Sequence, residues 1–345
     1  AEGAELKFST DPKDYPEVFC RWEGTELHNY SSLLYAFEEE NIAVTGKGTL
    51  NGCAGYNNWW AWKNGRDEKD KDLLRKWGNE GHPLEKRRFP EGSGLRPNFF
   101  QPYRCKNILV EGVTFKDSPM WFMNPVLCRN ITFSGLKIVG HGPNNDGCNP
   151  ECCKDVLIED CYFDTGDDCI AVKAGRDNDA RRVGESSENI VIRNCVMKDG
   201  HGGVVLGSEI TGGVRNVFVE NCVFDSPNLK RGLRLKSNTH RGGTIENIYL
   251  RNITVKEVKG APIHCNMEYS DQEGDNLPVM RNIFVENMVC HKAKRIFDLT
   301  GSDDSLIRNI VVKDSVFENL RSPSKIEDAK DIRLINVKMS GCLSD

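Results

Sequence analysis

The chain has 345 residues, of which 38% are hydrophobic and 28% charged, and its formal net charge is −5 at pH 7. Its apolar runs are only a few residues long, whereas ~18 are needed to cross a bilayer, so a membrane-embedded protein is excluded. Because this charge balance gives no basic stripe, nucleic acid is not expected as a main partner.

Residues 1–98 combine two strand-like stretches with an insertion. The stretches GAELKFS and ENIAVTGKGTLNG both predict strands. Residues 53–98 form the insertion, which contains Trp59, Trp60 and Trp62 and then the charged stretch RDEKDKDLLRKW, a predicted short helix. An insertion within a repetitive fold usually makes a loop over one face, often the binding face.

From Cys105 to Met339, nine similar segments follow one another. Each has an anchor, Asn or Asp, followed by Ile or Val one place later, an apolar residue three places later and Gly, Asn or Asp five places later. Alternation with a period of two that ends at a turn former predicts a short strand with one buried face. The anchors are Asn107, Asn130, Asp155, Asn189, Asn216, Asn247, Asn282, Asn309 and Asp331.

Successive anchors are 23, 25, 34, 27, 31, 35, 27 and 22 residues apart. One coil per ~22–25 residues, with inserted loops in the longer intervals, is typical of a β-solenoid. Because parallel crossovers are nearly always right-handed, the sequence predicts an all-β fold: a single right-handed parallel β-helix of about ten coils with inserted loops, spanning residues 1–345 as one domain. Leucine-rich repeats lack this pattern, and an up-and-down sandwich would not repeat it nine times.

Six of the 14 cysteines occupy two recurring positions of the repeat. Thiols at positions that are otherwise apolar are expected to be buried and to act as small hydrophobic groups. The six are Cys161, Cys195 and Cys222, six places after their anchors, and Cys105, Cys128 and Cys153, two places before theirs. The sequence also allows one disulfide bridge among Cys148, Cys152 and Cys153.

Four polar stretches interrupt the repeat in consecutive coils: residues 144–147 (NNDG), 166–168 (GDD), 200–203 (GHGG) and 234–236 (RLK). Equal positions in neighbouring coils lie ~4.8 Å apart. Asp167 and His201 each stand twelve places after an anchor, so they should be stacked neighbours, and Asp146 precedes Asp168 by 22 residues, about one coil. Each stretch alone is an ordinary turn or strand, but the four together in order favour a site.

This constellation of three carboxylates, one imidazole and two cations suits acid and base chemistry on an acetal. Close carboxylates disfavour each other's ionisation, so one of them is driven to hold a proton. Inverting glycoside hydrolysis uses a carboxylic acid on the leaving oxygen and an opposed carboxylate, ~6.5–9.5 Å away, to activate water. Arg234 and Lys236 would suit a substrate that carries carboxylates, such as a uronic-acid polymer.

The order Asn-x-Asp, Asp-Asp, Gly-His-Gly and Arg-x-Lys resembles the polygalacturonase family of glycoside hydrolases (family 28). The strings SPMWFMNPVLCRN, GPNNDGCNPECCKDVLIEDCYFDTGDDCIAVKAGRD, DGHGGVVLGSE and RGLRLK are similar to its bacterial exo-acting members, from about Gly3 to about residue 260. The resemblance implies hydrolysis of α-1,4-linked galacturonate in pectin with inversion and without metal or other cofactor, and hence a secreted or periplasmic protein.

Position by position, the resemblance makes Asp167 the general acid, and Asp146 and Asp168 the pair that holds and activates the water. His201 would tune the proton of Asp167. The remaining implied roles concern binding: Arg234 and Lys236 would grip a galacturonate carboxylate, and Asn144 would orient the site around Asp146. The expected partner is a pectic polysaccharide or oligogalacturonide, and no metal site is expected.

Three departures from the family pattern concern asparagines and the N-terminus. Asn145 stands where Thr is common, a change expected to be harmless. Asn124 and Asn149 stand where related exo-enzymes often have His and Asp, and both are expected near the cleft, where they would affect subsite preference. Family members usually have a capped N-terminal coil at this point, so further residues are expected before Ala1.

Two other functions fit the same fold. A calcium-dependent pectate lyase could use the Asp cluster as its cation site, although Gly200-His201-Gly202 has no place in that scheme. A carbohydrate-binding or adhesive solenoid would need no carboxylate trio facing an imidazole. We expect Trp59, Trp60, Trp62 and Trp121 to pack against the solenoid rather than to stack on a sugar.

Overall fold

A computed structural model describes residues 1–63, 65–89 and 91–341. Within these residues, two α-helices, α1 (Arg66–Asn79) and α2 (Asp177–Val183), accompany 27 strands. Short 3-10 turns cover Pro12–Asp14, Trp59–Trp62, Leu84–Lys86 and Tyr269–Asp271. The helix predicted in the insertion is therefore confirmed as α1.

The strands are β1 (Glu5–Lys7), β2 (Glu17–Trp22), β3 (Thr25–Tyr30), β4 (Leu34–Phe37), β5 (Glu40–Thr45), β6 (Thr49–Asn51), β7 (Phe100–Tyr103), β8 (Lys106–Glu111), β9 (Thr114–Lys116), β10 (Arg129–Ser134), β11 (Lys137–Gly140), β12 (Lys154–Glu159), β13 (Tyr162–Thr165), β14 (Ile170–Val172), β15 (Ser187–Arg193), β16 (Val196–Asp199), β17 (Val204–Leu206), β18 (Val214–Glu220), β19 (Val223–Asp225), β20 (Leu233–Lys236), β21 (Thr244–Glu257), β22 (Ile263–Asn266), β23 (Val279–Cys290), β24 (Phe297–Thr300), β25 (Ile307–Leu320), β26 (Lys325–Glu327) and β27 (Ala329–Gly341).

The strands wind into a right-handed parallel β-helix, as the sequence predicts, and the structure gives it three faces. The first face is a ladder of ten strands, one per coil: β5, β8, β10, β12, β15, β18, β21, β23, β25 and β27. The second face contains β1, β6, β9, β11, β13, β16 and β19 and continues into the long strands from β21 onward. Ten strands on the first face agree with the predicted ten coils.

The third face carries the strands that follow the polar stretches. It starts with the parallel pair β4 and β7, continues through single bridges at Met123 and Cys148, and then runs through β14, β17, β20, β22, β24 and β26. The turns between the second and third faces therefore lie in one row along the helix axis.

The repeat anchors are the residues that turn the chain into the first face. All nine have φ between 56° and 61°, a left-handed conformation that Asn and Asp tolerate better than other residues with a side chain. Their carboxamides also stack: Asn216 donates to Asn189 Oδ1 at 3.1 Å and accepts from Asn247 Nδ2 at 3.2 Å. The anchor thus combines a backbone requirement with a hydrogen-bonded ladder between coils.

The apolar positions of the repeat line one continuous core that includes residues from Leu33 to Leu320. The six column cysteines are buried within it, and every described cysteine is a free thiol, including Cys148, Cys152 and Cys153. No bridge therefore forms among those three, and the interpretation of the column thiols as small hydrophobic groups is confirmed.

A second, smaller hydrophobic cluster joins the antiparallel hairpin β2–β3 to the insertion. Leu74 of α1 packs there with Trp22 of the hairpin and with Trp121. The tip of the hairpin contacts the β-helix closely at Arg176. A Cβ on Gly24, at this tip, would lie only 2.8 Å from the backbone nitrogen of Arg176. Hairpin and insertion together cover the N-terminal part of the third face.

The tryptophans of the insertion pack against the protein. Trp59 is fully buried, with its ring centroid 4.7 Å from that of Trp62, and Trp60 Nε1 donates to the Ser118 carbonyl at 2.9 Å. Trp121 is also buried. Among the described residues, no helix combines the length and the apolar character needed to cross a membrane.

Candidate active site

The three predicted carboxylates converge in the row of turns that leads into the third face. Asp146 follows β11, and Asp167 with Asp168 joins β13 to β14. One oxygen from each of these side chains lies within 4.8 Å of the other two. His201, in the turn between β16 and β17, lies on the next coil. The structure therefore brings together the residues that the coil spacing predicts to be neighbours.

Glycines allow these turns to stack closely. Gly200 has φ 151°, and a Cβ on it would lie 2.5 Å from the carbonyl oxygen of Asp167. The His201 amide donates to that same carbonyl at 3.0 Å. A Cβ on Gly147 would likewise lie 2.5 Å from the Cys169 carbonyl. The Gly residues beside His201 and Asp146 are thus required by the close approach of neighbouring coils.

Asp167 faces the imidazole of His201, with 3.0 Å between Oδ1 and Nδ1. Burial alone would raise the pKa of Asp167, but the hydrogen bond and charge of His201 and the charges of Lys236 and Lys173 outweigh it and lower the pKa to about 2. In the free protein Asp167 is therefore ionised and held toward the imidazole.

Asp146 has the opposite electrostatic environment. Its side chain is buried, Asn149 Nδ2 donates to its Oδ2 at 2.9 Å, and Lys173 Nζ lies 3.9 Å from the same oxygen. Burial and the charge of Asp167 raise the pKa of Asp146 well above its usual range. Asp146 thus holds a proton more tightly than its neighbour Asp167, an arrangement suited to acid and base chemistry.

The asparagines around Asp146 differ from expectation. Asn144, predicted to orient the site around Asp146, lines the pocket, but its Oδ1 accepts from Arg96 Nη2 at 2.8 Å. Asn149, predicted to affect only subsite preference, contacts the Asp146 carboxyl directly. The reason is the turn: Asn144 is left-handed at φ 56°, and the side chain three places after Asp146 reaches back to it. Asn145 is fully buried and donates to the carbonyls of Ser118 and Met120.

Asp168 pairs with both predicted substrate-binding cations. Lys236 Nζ donates to its Oδ2 at 2.8 Å, and Arg234 Nη1 lies 3.6 Å from its Oδ1. Oδ1 is buried and has no hydrogen-bond partner. In the free protein Arg234 and Lys236 therefore balance the charge of Asp168, and Oδ1 can accept a hydrogen bond from water or a substrate hydroxyl.

Sequence reasoning missed a charged wall beside the trio. Lys173 donates to Glu209 Oε2 at 2.8 Å, and Arg176 Nη1 lies 3.5 Å from Glu209. Glu23, at the hairpin tip, lies 3.2 Å from Arg176 and accepts from Arg75 of α1 at 3.0 Å. These residues line a cavity of about 190 Å³ together with the carboxylate trio.

One signal could have revealed Lys173. Val172, Leu206 and Leu235 pair across three coils, so Lys173 takes the position on its coil that Lys236 takes two coils later. Glu23 and Arg75 have no such signal, because they come from the hairpin and the insertion.

The ammonium groups of Lys236 and Lys173 lie beside the three carboxylates and affect whether a metal ion could bind there. The three carboxylates are close enough to share a metal ion. Lys236 Nζ, however, is already hydrogen-bonded to Asp168, and Lys173 Nζ adds a second positive charge beside Asp146. Two ammonium groups at this range repel a divalent cation, so the charge balance favours a site that works without one.

Comparisons with known proteins agree with the sequence resemblance. The model of the family "Glycosyl hydrolases family 28" matches residues 23–313. A probable polygalacturonase of Vitis vinifera is 30% identical over 316 residues, covering 86% of this chain and 58% of that protein. The chain thus spans about three fifths of the length of that curated relative.

Solved structures show the same architecture. The crystal structure of a hyperthermoactive exopolygalacturonase from Thermotoga maritima superposes with a TM-score of 0.94 at 42% identity, covering 97% of this chain and 78% of that one. The Yersinia enterocolitica family 28 exopolygalacturonase gives a TM-score of 0.75 at 20% identity, covering 99% of this chain and 68% of that one. At 20% identity, the similarity to the Yersinia enterocolitica structure shows that the two chains share a fold.

Proposed function

Because this chain belongs to glycosyl hydrolases family 28, we propose that it hydrolyses α-1,4-linked galacturonate in pectin, acting from the chain end and with inversion. The observation that carries this proposal is the convergence of Asp146, Asp167 and Asp168, within 4.8 Å, beside the imidazole of His201. Its substrate would be a pectic polysaccharide or an oligogalacturonide.

The general acid in this proposal is Asp167, and the proton it donates comes from Asp146. In the free protein the proton belongs to Asp146, because Asp167 is stabilised as an anion by His201 and by lysines. An incoming uronate carboxylate would neutralise part of that positive field and exclude water, and both effects raise the pKa of Asp167. The proton would then pass to Asp167, which protonates the leaving oxygen, and Asp146 would become the ionised base.

Asp146 and Asp168 would then hold the attacking water. The unpartnered Oδ1 of Asp168 supplies an acceptor for one of its protons, while Asp146 takes the other as the water attacks. The carboxylate oxygens are closer together than the ~6.5–9.5 Å usual for inverting enzymes. The proposal of inversion rests on the resemblance to the family, and the anomeric form of the first product tests it.

Action from the chain end follows from the shape of the pocket. Glu23, Arg75 and Arg176 line it, and its volume of about 190 Å³ is below the ~300–1,000 Å³ of most ligand pockets. Such a pocket suits one terminal sugar rather than the middle of a polymer. Lys236 and Arg234, which pair with Asp168 in the free protein, would share their charge with the carboxylate of the substrate.

The two alternatives predict different chemistry. A calcium-dependent lyase would need a divalent cation among carboxylates that Lys236 and Lys173 already neutralise. A binding solenoid would not need one carboxyl with a raised pKa beside one with a lowered pKa. Both observations favour the hydrolase.

A secreted or periplasmic location is part of the proposal and rests on the substrate, since a pectic polymer lies outside cells. The described cysteines, which are all free thiols, lend it no support. Activity found in the lysate of source cells and missing from their medium and periplasmic extract would contradict it.

The test is digestion of trigalacturonate in D2O with EDTA, followed by NMR from the first minutes. The expected products are galacturonate and digalacturonate, with the new reducing end formed first as the β-anomer. Asp167→Asn protein serves as the control for contaminating activity. An α-anomer would contradict inversion. A parallel digestion with calcium in place of EDTA tests the lyase, which unsaturated products formed only with calcium would establish, and binding without cleavage in either digestion would establish the solenoid.

A further inference from the structure

Beyond the pocket, a line of backbone contacts runs from the active site toward the C-terminal coils. The Lys230 amide donates to the carbonyl of Gly200, the Gly260 amide donates to that of Lys230, and the Lys294 amide donates to that of Gly260. These distances are 3.2, 3.0 and 2.8 Å. The line starts beside His201, because Gly200 directly precedes it, and it advances one coil at each step.

Basic residues cluster along this line. Five of them border a cavity of about 410 Å³ in which Asp298 is the sole acidic lining residue among those the structure describes. We call this set the cationic row: Lys230, Arg231, Lys259, Lys294 and Arg295. A concentration of positive charge on one wall contrasts with the formal net charge of −5 for the whole chain.

The cationic row has few anions of its own. Arg231 Nη2 lies 3.2 Å from Asp298, whose carboxylate also faces His264 Nδ1 at 3.5 Å. Arg231 Nε and Arg295 Nε are buried and have no hydrogen-bond partner. Clustered guanidinium and ammonium groups repel one another, so the cost of bringing them together is recovered only when an anion binds.

We propose that the cationic row binds the uronate carboxylates of the polymer that extends beyond the sugar held in the pocket. This inference rests on the proposed function. Glu23 and Arg75, from the hairpin and the insertion, line the pocket, and the row starts beside His201, so a polymer with its end in the pocket can leave along the row. Coils rise by ~4.8 Å, about the length of one sugar, so successive carboxylates meet successive coils. Arg and Lys at that spacing suit a regular polyanion.

The test compares a row variant, Lys259→Gln with Lys294→Gln, with the native chain on digalacturonate and on long oligogalacturonides. Both lysines are exposed, so the fold should tolerate the change. We expect kcat/KM on long oligomers to fall about 2- to 30-fold, the worth of two exposed ion pairs. Turnover of digalacturonate should stay unchanged. In about 0.5 M NaCl the difference should vanish, because screening shortens the Debye length to a few ångström.

A matched control removes the same charge elsewhere. Arg251→Gln with Lys313→Gln lies on the first face, where these residues pair with Glu220 and Glu286. This variant should behave as the native chain does on every substrate. An equal loss in both double variants would show a general charge effect and would overturn the proposal.

Direct binding separates this inference from the proposed function. The affinity of long oligogalacturonides for the native chain and the row variant is measured by calorimetry, whatever the turnover. If the native chain cleaves nothing but loses affinity on Lys259→Gln with Lys294→Gln, the hydrolase proposal fails and the cationic row stands. If it cleaves trigalacturonate and both chains bind long oligomers equally, the row fails alone.

Discussion

Asp167 and Asp146 are close neighbours, yet their contacts give them opposite proton affinities. For the acid role of Asp167 we expect Asp167→Asn to keep the fold and lower kcat on trigalacturonate by roughly 10²–10⁴. An aryl galacturonide, whose leaving group needs no proton, should lose much less. Parallel kinetics on both substrates measure the difference, and an equal loss on both would remove Asp167 from the acid role.

The raised pKa of Asp146 predicts a pH-dependent cost to stability. Because its folded pKa lies above the unfolded value near 4, the native state binds the proton more tightly, and stability is lost as pH rises from about 4 toward the folded pKa. Asp146→Asn removes this loss, so it should stabilise the fold increasingly above pH 4. Urea unfolding at several pH values measures it, with exposed Asp304→Asn as the control. A gain that does not change with pH would contradict the assignment.

For single residues of the site, the sequence predicted which side chains are neighbours but not which hydrogen bonds and ion pairs they form. Asp167 and His201 are neighbours because both stand twelve places after an anchor. The pairing of Lys236 with Asp168, and the contact of Asn149 with Asp146, depend on rotamers and turn geometry that spacing does not encode.

The anchor ladder is the element that keeps successive coils in register. We expect Asn216→Ala to lower the free energy of unfolding by about 2–3 kcal/mol, because Ala loses two ladder hydrogen bonds and must adopt φ 59°. Asn216→Gly keeps the backbone conformation and should cost about 1 kcal/mol, the ladder alone. Urea unfolding of both variants gives the comparison. Equal losses would mean that the left-handed backbone contributes nothing.

Elements with a repeating pattern were predictable, and those without one were not. The first face and the cysteine columns follow from residues at constant offsets, so nine segments reinforce one another. The hairpin β2–β3 occurs once, and α2 lies within the 34-residue interval between Asp155 and Asn189, where the sequence predicts only an inserted loop. Their positions depend on tertiary contacts, such as that of Gly24 with Arg176.

At the scale of the whole molecule, the proposed action from the chain end makes the Glu23 and Arg75 side of the pocket the feature that limits where a polymer is cut. Glu23→Ala with Arg75→Ala removes the ion pair, 3.0 Å long, between the hairpin and α1. Because the pocket then extends past the first sugar, we expect dimer to appear beside monomer in the early products of a long oligogalacturonide. Chromatography of timed samples measures this. Lys76→Ala on the same helix is the control, and monomer alone from all three proteins would reject this role of Glu23 and Arg75.

The proposal that residues 1–345 form one domain rests on the continuous core from Leu33 to Leu320.

Since each coil contributes one position to each row along the axis, the reach of this protein can change only in whole coils. Duplication of a coil between those of Asp168 and Lys236 would insert ~4.8 Å into a contact of 2.8 Å and abolish catalysis. Duplication of a coil beyond Lys294 would leave the chemistry intact and lengthen the grip on the polymer by about one sugar. Under the proposed function, evolution can therefore adjust the preferred chain length of the substrate in discrete steps without altering the reaction.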